Sequence, residues 1–128
     1  MNTMKITLEL NERQADVLVA ALDFYSMIRT GNLREILSIF PPGEVVRNQY
    51  VRDLIAQLKH GMFPHLEQGC CYGIRDPRVG AAQVAFDIQQ VIRHGLAWKR
   101  HPEGGILLTF DEPYRCSEEP LPTITIED

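Results

Sequence analysis

DPRVGAAQVAFDIQQVIRHGLAWKRHPEGGILLTF, residues 76–110, has the clearest start, stop and change of period in the chain. Pro77 suits the first turn of a helix, where a missing N–H costs nothing, and Asp76 can cap the free N–H groups there. Val84, Ile88 and Val91 recur at helical spacing, with Ala81, Ala85 and Ile92 beside them. Arg93 and His94 suit a last turn, and Gly95 a left-handed stop. The spacing predicts a buried helix over 77–94. Beyond a basic, turn-rich link, Gly104-Gly105 opens a predicted strand over 106–110.

Before this unit, Met4, Ile6, Leu8 and Leu10 alternate with Lys5, Thr7 and Glu9, the pattern of a half-buried strand. Asn11 then has the place of a helix cap, with Gln14 at the capping-box position. A long helix is expected to about Arg29. One stripe is Ala15, Leu18, Leu22 and Tyr25, and a second beside it is Val17, Ala21, Phe24 and Ile28. That arc is wide enough for packing on two sides. Leu33, Ile36, Leu37 and Phe40 predict a short second helix, stopped by Pro41-Pro42-Gly43. Residues 44–59 predict a third, with Val46, Tyr50, Leu54 and Leu58 on one face and Val51 and Ile55 adjoining. Residues 62–75, with Pro64, Gly69 and Gly73, read as a loop. After Phe110 the chain carries Pro113, Pro120 and Pro122, and residues 123–126 alternate like an edge strand.

The expected architecture is one α+β domain over residues 1–112, about four helices on a small antiparallel sheet, followed by a proline-rich acidic tail over 113–128. A mainly helical bundle is the alternative. At 128 residues, with 45% apolar and 23% charged residues, the chain fits one globular domain. The net charge of −4 argues against a dedicated nucleic-acid binder. Six acids in residues 111–128 (Asp111, Glu112, Glu118, Glu119, Glu127, Asp128) face Arg115 alone, so that segment carries −5 and the first 110 residues about +1. No apolar run approaches the ~20 residues that span a bilayer, and the N-terminus lacks the apolar centre of a signal peptide. Three cysteines, two of them adjacent, make no disulfide framework. A cytoplasmic protein without membrane association is expected.

Three groups of side chains are candidates for chemistry. His60, His65, Cys70 and Cys71 carry zinc-ligating atoms, but structural zinc sites separate paired cysteines by two to four residues, so no metal or other cofactor is expected. The same thiols beside a histidine would form a nucleophile–base pair, yet no acyl-transfer signature surrounds them. Arg93, His94, Trp98, Lys99, Arg100 and His101 form a basic cluster around one aromatic, the combination that holds phosphate and stacks a base. Against that stands a ring that packs on the domain while the charges sit at a solvated helix end. The carboxylate pairs Asp111-Glu112 and Glu118-Glu119 lie in the acidic tail, and Gly104-Gly105 lacks the lysine and helix of a phosphate loop.

Two stretches, AALDFYSMIRTGNLREI (residues 20–36) and AFDIQQVIRHGLAWKRHPEGG (residues 85–105), resemble small uncharacterised bacterial and prophage-encoded proteins. The resemblance implies an intracellular, phage-associated or accessory protein, and no active site or ligand. The expected function is a non-enzymatic accessory or protein-interaction protein, a homodimer with room for a protein partner. The alternative is a nucleic-acid-binding accessory protein using residues 93–101. A third possibility is a small hydrolase or metal-dependent enzyme using residues 60–71.

Overall fold

In the computed structural model, which describes residues 4–41, 43 and 48–127, Asn11 starts the first long helix as its sequence predicts. Its side chain accepts from the Gln14 N–H at 2.8 Å, and the Gln14 side chain accepts from the Asn11 N–H at 3.0 Å. This reciprocal cap sets the start of α1, Glu12–Arg29. α2 is Gln49–Met62, opened by Asn48, whose side chain accepts from the Val51 N–H. α3 is Ala82–Arg100. Short 3-10 turns cover Leu33–Ile39, Pro77–Val79 and Leu108–Phe110.

The architecture is helical, which corrects the α+β expectation: no strand occurs among the described residues. The three segments with strand-like alternation never become neighbours. Residues 4–10 run exposed ahead of α1, and residues 106–110 turn back onto the end of α3. In the tail, Ile124 and Ile126 point the same way, as period two dictates, but what they meet is Gly95 of α3 and not another strand. The second and third segments meet α3 and the first stays exposed, so no ladder of backbone hydrogen bonds forms among the described residues.

Gly95 also fails as a stop. α3 runs through it to Arg100, because the glycine is used for close approach: a Cβ there would lie 3.2 Å from the tips of Ile124 and Ile126. Pro77 and Asp76 do form a capped turn, with the Asp76 carboxylate accepting from the Arg78 N–H at 2.9 Å. That turn is a separate 3-10 unit, divided from α3 by Gly80 at φ 58°. The predicted helix over 33–40 is also 3-10. The first residues of the predicted third helix, 44–47, lie outside the described residues.

α1 and α3 lie antiparallel. Ser26 Oγ, which donates to Leu22 O within α1, lies 3.3 Å from Ala82 O at one end; Gln89 Nε2 donates to Asp23 Oδ1 at 3.1 Å in the middle; Arg100 reaches Glu12 and Asp16 at the other end. Ala15, Ser26, Ala82 and Ala85 are buried along this seam, where small side chains let the helices approach. The opposite side of α3 holds the tail. Asp87, 2% exposed, accepts from the Cys116 N–H (2.7 Å), the Ser117 N–H (3.0 Å) and Ser117 Oγ (2.6 Å). Gln90 donates to Tyr114 O. α3 is therefore the core element, as its sequence predicts, with Ala82, Ala85 and Val91 buried and Val84, Ile88 and Ile92 half-buried. α1 is packed on one side only, since Val17 and Tyr25 of its wide apolar arc are exposed.

α2 stands further out. Its inner row, Val51, Ile55 and Lys59, turns toward the chain, and buried Lys59 donates from Nζ to the carbonyls of Gln68 and Cys70. The loop so held returns to α1: the Tyr72 N–H donates to Thr30 O, and Leu66 and Phe63 close over Gly31.

Candidate interaction surface

The last turns of α3 place His94, Trp98 and His101 at spacings of four and three, hence on one face. All three meet the returning loop. Trp98 Nε1–H donates to Phe110 O at 3.0 Å, and the two rings stand edge-on, 5.4 Å apart. His101 adds a second edge contact to Phe110. His94 Nδ1 lies 3.1 Å from Thr109 O, and since a carbonyl only accepts, Nδ1 carries the proton. Gly104, at φ 86°, fits under the indole where a Cβ would lie 3.0 Å from it. At Gly105 a Cβ would come within 2.5 Å of Phe110. The two glycines let the loop close, and the aromatic clamp fixes where it closes.

What the clamp holds out is apolar. Ile106 is fully exposed, Leu108 is 85% exposed and Leu107 67%. Two further apolar surfaces face water. Tyr50, Leu54, Leu58 and Met62, four residues apart, form an exposed stripe on the outer side of α2. Met4, Ile6 and Leu8 are exposed along the N-terminal arm. The total accessible area is 9672 Å² for 14.6 kDa. A folded monomer of that mass exposes roughly 6,900 Å².

The sequence-predicted binding residues divide by role. His94, Trp98 and His101 build the clamp. Arg100 is committed to α1, donating to Glu12 and to Asp16 at 2.9 Å, and its bonds with Asp16 and then Glu12 raise its pKa further. Arg93 acts on Asp23, whose carboxyl burial pushes above its ordinary value while Arg93 pulls it down and Glu35 adds to the rise. Lys99 is exposed. Arg75 and Arg78 precede α3 and sit away from this cluster. Arg75 lies over the Tyr114 ring; Arg78 lies over Tyr72 and pairs with Asp76 at 2.7 Å. The basic residues therefore do not merge into one face.

His60, His65, Cys70 and Cys71 are all exposed, and no group of three metal-ligating side chains gathers among the described residues. The Cys116 thiol is pushed up by burial and by Asp87, against the pull of Arg75, which disfavours the reactive thiolate. Among the described residues no helix is long and apolar enough to cross a membrane.

Asp87 and Lys59 are the buried charged residues among those described, and their burial was not anticipated from the pattern. Both were visible as charges on apolar faces: Asp87 between Val84 and Val91, Lys59 one turn beyond Ile55. A charge in such a place requires a partner.

Comparison with protein-family models, with curated proteins and with solved structures finds no match to this chain.

Proposed function

We propose that this is a non-enzymatic accessory or protein-interaction protein, of the bacterial or phage-associated kind its sequence resembles, that works by docking apolar surface on other proteins. The observation that carries this is the clamped loop. Two glycines, an indole N–H and a histidine N–H hold residues 104–110 in place, and the result is an isoleucine and two leucines standing in water. A small set of apolar anchors on a fixed support is the form that interface hot spots take. The outer stripe of α2 offers a second surface of the same kind. Exchanging Ile106 and Leu108 for serine removes the anchors without touching the clamp. The double variant should melt like the parent, within about 0.5 kcal/mol as for surface changes. It should lose the partner that the parent retains when purified from its own cells. An unchanged set of bound proteins would refute the docking role of the loop.

A second reading, nucleic-acid binding by the end of α3, is favoured by one observation: Trp98 is partly exposed near exposed Lys99 and His101. A ring and cations so placed stack bases and meet phosphates. Anisotropy of a labelled single-stranded oligonucleotide decides it. Binding that falls steeply between 50 and 200 mM salt and disappears in Trp98→Ala supports this reading. No binding at low salt removes it.

A further inference from the structure

The arm at residues 4–10 has the pattern of a strand, takes no regular secondary structure, is exposed along its length, and has no partner strand among the described residues. We propose that its partner is the same arm of a second copy, paired antiparallel about a two-fold axis through Thr7. The inference rests on the reading of this protein as one that acts by association, and it names one of the partners.

The sequence of the arm specifies the register. In an antiparallel pair centred on Thr7, Met4 lies opposite Leu10, Lys5 opposite Glu9, Ile6 opposite Leu8 and Thr7 opposite itself. Residues directly opposite point to the same face. Every apolar residue then meets an apolar residue on one face, and the other face carries two Lys–Glu pairs around a Thr–Thr pair. Opposite charges and paired threonines are favourable cross-strand neighbours. A slip of one residue would put apolar residues opposite polar ones throughout. A slip of two in either direction loses both charge pairs. The arm is thus complementary to itself in one register, as a two-fold contact requires.

The exposed area agrees. The chain shows 9672 Å², an excess of roughly 2,800 Å² over a folded monomer of its mass. A standard interface covers about 800 Å² on each partner, and obligate homodimers cover more. A second copy fits within that exposed area, which also includes the 106–108 loop and the outer stripe of α2. A two-stranded ribbon alone is marginal in water and needs a surface under its apolar face. The arm leads directly into α1, where Val17 is exposed within the following turns.

The two charges give a test that separates pairing from folding. Lys5→Glu makes an arm with two acids, and Glu9→Lys makes one with two bases. Either variant alone sets like charges opposite each other twice, so its dimer should weaken by about tenfold or more. Mixed, the two variants restore both pairs, and the mixture should return to the dimeric mass in light scattering. A Thr7→Cys variant in a Cys70→Ser/Cys71→Ser background should form a disulfide-linked dimer on mild oxidation, because position 7 faces its own copy. If the parent is dimeric and both charge variants stay dimeric unmixed, arm pairing is overturned while association as such stands. A parent at the mass of one chain throughout the micromolar range overturns the inference. The serine exchange at Ile106 and Leu108 then still judges the wider reading.

Discussion

Replacing Asp87 by alanine tests how the tail is held on α3. The carboxylate is 2% exposed and takes three donors, two backbone N–H groups and the Ser117 hydroxyl. Each donor left buried and unpaired costs about 1–3 kcal/mol, so the simple sum is about 3–9 kcal/mol. That sum is a ceiling, because the tail can lift and give its donors to water. Lifting forfeits the contact of Ile124 and Ile126 with Gly95 and that of Tyr114 with Phe86. Alanine also removes the desolvation cost of the carboxylate, which offsets part of the loss. The expected destabilisation is about 2–4 kcal/mol, or about 8–15 °C in melting temperature for a domain of this size. Asp87→Asn keeps one acceptor and should cost about half as much. Urea titration gives the energy as a shift in midpoint, and hydrogen exchange reports the Cys116 and Ser117 amides directly. A loss under about 0.5 kcal/mol with unchanged exchange at those amides would show that Asp87 does not anchor the tail.

Three further outcomes are expected. Lys59→Met removes the ammonium that holds the Gln68 and Cys70 carbonyls, and a loss of about 2–4 kcal/mol should appear in thermal melting; a neutral result would place those carbonyls in water. Gly95→Leu should push the tail off α3 and speed proteolysis after residue 113, whereas Gly95→Ala sets about 1 kcal/mol of helix propensity against a tight contact and should change stability little. Asp76, held down to about 2 first by its bonds with Arg78, contributes stability above pH 3.8 that is lost as pH falls toward 2. Asp23, raised by burial, runs the other way: its charge costs the fold at neutral pH, and the cost is relieved on acidification. Asp76→Asn should therefore flatten the acid limb of a stability–pH curve, and an unchanged limb would exclude that role.

The helices were legible where local chemistry decides them. Asn11 and Gln14 form the cap that their spacing promises, and the apolar repeat of residues 81–92 identifies the central helix, though it begins at Ala82 and not at the expected Pro77. The tail was half legible: period two correctly put Ile124 and Ile126 on one side, but alternation specifies an extended chain and says nothing about whether a strand or a helix lies opposite. Gly95 misled because a glycine serves equally as a stop and as a place of close approach, and only the distant isoleucines decide between them. The stripe of α2 was read correctly as a face, but periodicity does not say whether a face turns inward; Tyr50, Leu54 and Leu58 turn to water. Within the candidate surface, residues 93–101 drew notice for their charge, whereas their geometry serves to fix an aromatic clamp on Phe110.

The central claim is that the loop held by that clamp is covered by another protein in the cell. A photoreactive phenylalanine analogue at position 106, in the full chain inside the cells that express it, measures this directly. A discrete crosslinked band is expected from position 106 and none from exposed Arg52 on α2, which lies off the apolar stripe. Equal labelling at both positions, or no crosslink from 106, would contradict it.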